Sequence, residues 1–333
     1  MPMTDEILDV DLLAFESGDA AARRAVVDGV MRSLETGFVY TTHDLGEDFL
    51  DEAYGYLAEF FGRDAEEKDR FRAPGSMGQT GYTGLLVETA AVSDTPDWKE
   101  MLNWGENVPE GHPLRRRYPH RYADQVLPEA AVPGITEVLI TFHRRMAELQ
   151  RRFLRIIALG LGAAEGFFDE LVLDGSTLTR AIHYPAMNLA PGADHLWAGP
   201  HADINLITAL PRATSKGLQV QVGERWADAA PPDGHAIINT GIMLERLSNG
   251  RIPVGWHRVA ADPADSGERY SVAQFCHPTP WTILAPLESC VTPDNPQRYS
   301  GIEAGDLLDQ VLWQINLVED GRRVAEDTEA SCY

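Results

Sequence analysis

The chain has 333 residues, 51 of them acidic and 28 basic, and a formal net charge of -23 at neutral pH. So acidic a surface repels phosphate backbones and no Lys/Arg-rich run offsets it, which excludes nucleic acid as a partner. The three cysteines, Cys276, Cys290 and Cys332, share no CxxC or CxxxC spacing, which excludes a disulfide framework or a cysteine-based zinc cluster and points to a reducing compartment.

Residues 7–12 alternate apolar and acidic side chains and read as a short strand, followed by an amphipathic helix over 19–34 and a second strand over 36–40. A helix is expected over 44–61, with Asp44 as its N-cap and Leu45, Phe49, Ala53, Leu57 and Phe60 on one face. Residues 72–97 are rich in Gly, Ser, Thr and Pro and read as loop; no GKS/T follows the glycines, so they form no phosphate cradle. A strand over 97–104 comes next, then a Pro-rich connection over 105–133. Leu139, Phe142, Met146, Leu149, Phe153 and Ile156 form one stripe at alternating three- and four-residue spacing, the mark of a long helix ending near Gly160-Leu161-Gly162.

From about residue 177 the period becomes two. Short strands are expected over 179–184, 201–210, 217–222, 235–239, 257–260 and 269–275, a series that suits a jelly roll. His201 and Asp203 stand two residues apart in the run Gly199-Pro200-His201-Ala202-Asp203-Ile204-Asn205. On one extended strand they would share a face, and a later strand, 257–260, offers His257 as a third ligand. Two histidines and one carboxylate with open positions beside them form the facial triad of non-haem Fe(II) oxygenases. Arg269 and Ser271 again share a strand face, and a guanidinium beside a hydroxyl suits a carboxylate in a closed pocket. His43, His112, His120, His195 and His235 are read as surface or core residues. The tail holds one amphipathic segment over 307–315 and then a polar end.

The order HxD, then H, then RxS resembles the Fe(II)/2-oxoglutarate dioxygenases of the isopenicillin N synthase-like family. The N-terminal alternation of strands and helices through Phe60-Phe61 is similar to that family's, as is the Asp97-Trp98-Lys99-Glu100 strand. The resemblance implies an α+β chain with a mainly β core, a double-stranded β-helix (jelly roll) with flanking N-terminal helices and a long spine helix. It divides the chain into an N-terminal region (1–105), a connector with the spine helix (106–175), the jelly-roll core (176–280) and a C-terminal extension (281–333). It implies Fe(II) on His201, Asp203 and His257, with 2-oxoglutarate and O2 as cosubstrates. Arg269 and Ser271 would hold the far carboxylate of 2-oxoglutarate, assisted by Tyr184. It also places the strand face of Lys99, Met101 and Asn103 beside the substrate.

If Tyr184 faces inward, period two puts Ile182 and Arg180 inward too, and Phe275 and His277 inward on the Arg269 strand. A small acid or amino acid held by Arg180 is the substrate this suggests; the alternatives are that Arg180 pairs internally with an Asp or Glu, or that a bulge shifts the register and turns it outward. The chain departs from the family pattern at Ile182, where Asn is frequent, at Ala202, where Thr is, and at Ile242, where Asp is; each departure limits what can be said of substrate identity. Hydroxylation, desaturation or cyclisation of a small molecule is the expected reaction. The alternatives are an Fe(II) oxidase that uses no 2-oxoglutarate and a ligand-binding protein that keeps only the fold. No run approaches the roughly 20 apolar residues of a membrane span, and the first residues lack the basic and apolar regions of a signal peptide. The expected location is the cytoplasm, with no membrane partner and an oligomeric state that the sequence leaves open.

Overall fold

Alternating inward and outward side chains give two sheets that face each other across a pocket. The computed structural model describes residues 6–76, 78–88, 95–192, 195–261 and 267–314. Its strands are β1 (Asp9–Val10), β2 (Phe38–Thr42), β3 (Gly81–Thr83), β4 (Glu100–Gly105), β5 (Leu178–Tyr184), β6 (Ala198–His201), β7 (Ile207–Leu210), β8 (Leu218–Val222), β9 (Arg225–Asp228), β10 (His235–Thr240), β11 (His257–Val259) and β12 (Arg269–Cys276). Eight form a large sheet in the order β1-β2-β10-β7-β12-β5-β4-β3, and four a smaller one in the order β6-β11-β8-β9. The N-terminal strands β1 to β4 thus complete the sheet built on β5, β7, β10 and β12. This is the jelly-roll architecture expected from the strand series.

The outer face of the large sheet is covered by the helix Ile135–Gly160. Its stripe of Leu139, Phe142, Met146, Leu149, Phe153 and Ile156 is buried, and each such side chain stabilises the fold by about 1.5–3 kcal/mol relative to exposure. Apolar contact alone would let the helix slide. Directional bonds pin it: Trp104 Nε1 donates to the Leu139 carbonyl at 2.8 Å, Gln150 Nε2 to the Gln274 carbonyl at 2.7 Å, and Gln274 Nε2 to the His143 carbonyl at 2.9 Å. The helix ends where Gly162 takes φ +77°. There the Gly162 N–H bonds the Leu159 carbonyl and the Ala163 N–H the Ala158 carbonyl, the paired closure that a left-handed glycine permits.

Several local expectations are corrected. The strand over 7–12 shrinks to the two residues of β1, because Asp11 caps a short helix, Leu12–Ser17, by accepting from the Ala14 N–H. Asp44 is not an N-cap: the helix Glu47–Phe61 starts after Gly46 at φ +79°, and Asp44 instead pairs with Arg152 at 2.9 Å. Within the 72–97 loop, Gly81–Thr83 forms β3 against β4, and the 97–104 strand begins only at Glu100. The connection over 105–133 holds a short helix, Pro113–Arg117. The strand expected over 201–210 is two strands in different sheets, β6 and β7, with residues 202–206 crossing between them. The amphipathic tail segment is the helix Ala304–Gln314; the polar end after it lies outside the described residues.

Candidate active site

The inner face of the large sheet and the small sheet opposite it enclose one pocket. The large sheet contributes Phe38 of β2, Arg180, Ile182 and Tyr184 of β5, Thr208 and Leu210 of β7, Ile237 and Asn239 of β10, and Arg269, Ser271, Ala273 and Phe275 of β12. Lys99, just before β4, joins them, and Ala198, His201, Leu218, His257 and Val259 line the other side. In register, Arg269 lies opposite Tyr184, Ser271 opposite Ile182 and Ala273 opposite Arg180, so the alternation inferred for these two strands holds.

His201 and His257 face each other across the β6–β11 pairing, with ring centroids 4.2 Å apart. Each Nδ1 lies against a carbonyl oxygen, of Gly199 at 2.8 Å and of Gly255 at 3.0 Å. A carbonyl only accepts, so each Nδ1 carries the proton and each Nε2 presents its lone pair to a metal. Gly255 can hold its carbonyl there because two backbones touch: a Cβ on it would lie 2.7 Å from the Gly37 carbonyl oxygen.

Asp203 comes from the crossing segment. Its Oδ2 accepts from Thr208 Oγ1 at 2.6 Å and Asn239 Nδ2 at 2.7 Å, while Oδ1 faces His257 Nε2 at 4.0 Å. His201 and Asp203 therefore converge through a change of sheet, and not through alternation along one strand as expected. The donor atoms of His201, Asp203 and His257 all lie within 4.8 Å of one another, the one such cluster among the described residues. Burial pushes His201 down to about 4, assisted by His257 and opposed by Asp203. Burial works against the Asp203 anion, yet the two histidines and its two hydrogen bonds hold its carboxyl below the usual range. A neutral His201 beside an ionised Asp203 is the pair of forms that ligates Fe(II).

Arg269 is 1% exposed. It donates to Ser271 Oγ at 3.0 Å and to the Ser215 carbonyl at 3.2 Å, and its guanidinium lies 5.0 Å from the centre of the Tyr184 ring. Burial pushes its pKa down, and among the described residues it makes no ion pair. A guanidinium has five N–H donors, so this one is left with capacity for an anion.

The remaining expected site residues divide. Arg180 and Phe275 line the pocket, the guanidinium 5.4 Å from the ring centre. Arg180 already has partners within the protein: it pairs with Glu88 at 3.4 Å and donates from Nε to Asn103 Oδ1 at 2.8 Å. Asn103 thus stands behind Arg180, away from the pocket lining. Met101 lies opposite Ile182 in register but is 1% exposed and lines no part of the pocket. His277 is not a lining residue either; β12 ends at Cys276, so alternation stops there, and the His277 Nδ1 sits 3.2 Å from the Phe275 carbonyl oxygen. Sequence reasoning missed Glu88, Asp97, Thr208 and Asn239. For Thr208 and Asn239 a signal existed, as polar residues in otherwise apolar strands; Glu88 lay in a stretch read as plain loop.

A two-sheet β-helix carrying His-x-Asp and a distant His around one pocket defines the class of non-haem Fe(II) oxygenases. Residues 176–278 match the model of the 2OG-Fe(II) oxygenase superfamily, and residues 7–129 match a model described as non-haem dioxygenase in morphine synthesis N-terminal. The structure is similar to that of a 2OG-Fe(II) oxygenase family protein from Caulobacter crescentus, with TM-score 0.82 and 32% identity, covering 94% of this chain and 100% of the other. It is also similar to that of a full-length Neurospora crassa protein in complex with alpha-KG and thymine, with TM-score 0.80 and 25% identity over 92% and 96% of the two chains. In sequence it is 28% identical over 304 residues to azadirone synthase from Melia azedarach, covering 87% of this chain and 88% of that one. The chain belongs to the 2OG-Fe(II) oxygenase superfamily. It is a non-haem oxidoreductase of the isopenicillin N synthase-like kind, whose chemistry uses Fe(II), 2-oxoglutarate and O2 and acts on a small molecule.

Proposed function

We propose that His201 Nε2, Asp203 Oδ1 and His257 Nε2 hold the Fe(II), and that Arg269 and Ser271 bind the distal carboxylate of 2-oxoglutarate beside Tyr184. The observation that carries this reading is Arg269: a guanidinium 1% exposed, on the pocket wall, without a carboxylate partner among the described residues. Leaving a buried charge unpaired is costly, so the site is built for an anion. Bound Fe(II) supplies the redox chemistry that couples decarboxylation of 2-oxoglutarate to hydroxylation, desaturation or ring closure of the substrate. Thr208 and Asn239 fix the Asp203 carboxylate, the Gly199 and Gly255 carbonyls fix the histidine tautomers, and Phe38, Leu218 and Val259 keep the interior dry. The substrate meets the wall formed by Lys99, Arg180 and Phe275. None of the helices among the described residues is long and apolar enough to cross a membrane.

Anaerobic titration with Fe(II) and then 2-oxoglutarate tests the assignment. A visible metal-to-ligand charge-transfer band is expected to grow with 2-oxoglutarate, and the single Ala variants of His201, Asp203 and His257 are expected to lose iron. Iron binding without the band would remove 2-oxoglutarate from the site.

A further inference from the structure

Besides Arg269, the cations lining the pocket are Lys99 and Arg180, and one carboxylate holds both. Glu88 lies 3.1 Å from Lys99 Nζ through Oε2 and 3.4 Å from Arg180 Nη1 through Oε1. Lys99 also donates to Asp97 at 2.8 Å. The side chains of Glu88, Lys99 and Arg180 are 15%, 10% and 17% exposed, so these charges interact with little screening by water. Burial alone would raise the Glu88 carboxyl; Arg180 and Lys99 instead hold it down at about 2.

The cluster stands beside the metal donors by construction. The Asp97 N–H donates to the Glu88 carbonyl, and the Gly199 N–H donates to Asp97 Oδ1 at 3.0 Å, two residues before His201. The four formal charges of Lys99, Arg180, Glu88 and Asp97 cancel, so Lys99 and Arg180 offer the pocket no net positive charge with which to hold a carboxylate. Leading into Glu88, Leu85, Leu86 and Val87 are 37%, 38% and 49% exposed. Leu196 is 41% exposed, and its carbonyl accepts from the Trp98 N–H beside Asp97. Apart from these charges the pocket wall is largely apolar, with Ile182, Leu210, Leu218, Val259 and Phe275 on it.

We propose that Glu88 determines substrate selectivity: by occupying Lys99 and Arg180 it makes the subsite beside the metal donors accept an uncharged molecule with an apolar body and an N–H or O–H donor, and reject carboxylates. This rests on the iron and 2-oxoglutarate assignment above. Benzoate and benzamide, equal in shape and differing in charge, are the probes. The full chain, loaded anaerobically with Fe(II) and 2-oxoglutarate, is titrated with each while its melting temperature and the charge-transfer band are recorded, against sodium chloride as control. Wild-type protein is expected to respond to benzoate no more than to chloride. Glu88→Gln leaves the cluster one positive charge in excess, with Arg180 unpaired, and is expected to bind benzoate at least tenfold more tightly than wild type; Glu88→Ala is a second charge-removing variant, and Glu88→Asp should stay indifferent. Benzoate binding to wild type as tight as to Glu88→Gln or Glu88→Ala, or no gain in either, overturns the proposal. Occupancy is read in the same samples, so a wild-type band that never forms indicts the cosubstrate assignment, whereas a normal band with equal benzoate responses indicts Glu88.

Discussion

Replacing Arg269 by Met should separate the cosubstrate's affinity from the stability of the fold. The side chain is 1% exposed and has two protein acceptors, Ser271 Oγ and the Ser215 carbonyl. Truncating one partner of a buried, hydrogen-bonded charge pair costs about 2–5 kcal/mol. At about 1.4 kcal/mol per factor of ten, 2-oxoglutarate binding should weaken by about 30-fold to a few thousand-fold. The ligand-free protein should behave oppositely, because exchanging a buried ion for an apolar side chain of similar length is often neutral or stabilising. Thermal unfolding with Fe(II) under anaerobic conditions reads both effects. In wild type, 2-oxoglutarate at about 100 times its dissociation constant should add about 2.7 kcal/mol; in Arg269→Met the same concentration should add less than about 1 kcal/mol, while the ligand-free midpoint holds or rises. Undiminished affinity for 2-oxoglutarate in the variant would refute the reasoning.

Two further outcomes follow from groups around the site. Asn239→Ala removes the 2.7 Å bond to Asp203 Oδ2 and should lower Fe(II) affinity by about 10- to 100-fold; calorimetry showing wild-type affinity would count Asn239 out of ligand positioning. Burial pushes His143 down from 6.5 to about 4, so as pH falls the unfolded chain takes up its proton first, and the stability from a neutral His143 is complete above pH 6.5 and lost toward pH 4. Relative to His143→Gln, wild type should lose up to about 3.5 kcal/mol across that window; denaturant unfolding with a constant gap between the two proteins would argue against a buried neutral imidazole.

Local periodicity made much of this legible. The apolar stripe from Leu139 to Ile156 announced the helix over the sheet, and alternation put Arg269, Ser271 and Phe275 on one face. What stayed hidden depends on distant partners or on breaks in regularity. Nothing in the run from His201 to Leu210 signals that it changes sheet, because its apolar residues suit one strand as well as two. Asp44 looked like a cap but is drawn to Arg152, over a hundred residues away in sequence. The pairing of Arg180 with Glu88 joins a strand to a segment without periodicity, so alternation shows that the arginine needs an acidic partner but not that Glu88 is the one.

The crossing at residues 202–206 gives the metal a mechanical part to play. The two imidazoles belong to the small sheet, whereas the Asp203 carboxylate is moored to Thr208 on β7 and Asn239 on β10 in the large one. An ion shared by all three is a clasp across the seam between the sheets. Its hold would be felt unevenly: the large sheet is already locked to the helix Ile135–Gly160 by Phe142, Phe153 and the buried glutamines, whereas β6 and β11 rest on smaller apolar clusters around Trp197 and Val220. Amide hydrogen exchange in β6 and β11 should therefore slow on metal loading while the helix is little changed, so that the half of the molecule carrying both histidines would also be the half that bound iron keeps shut.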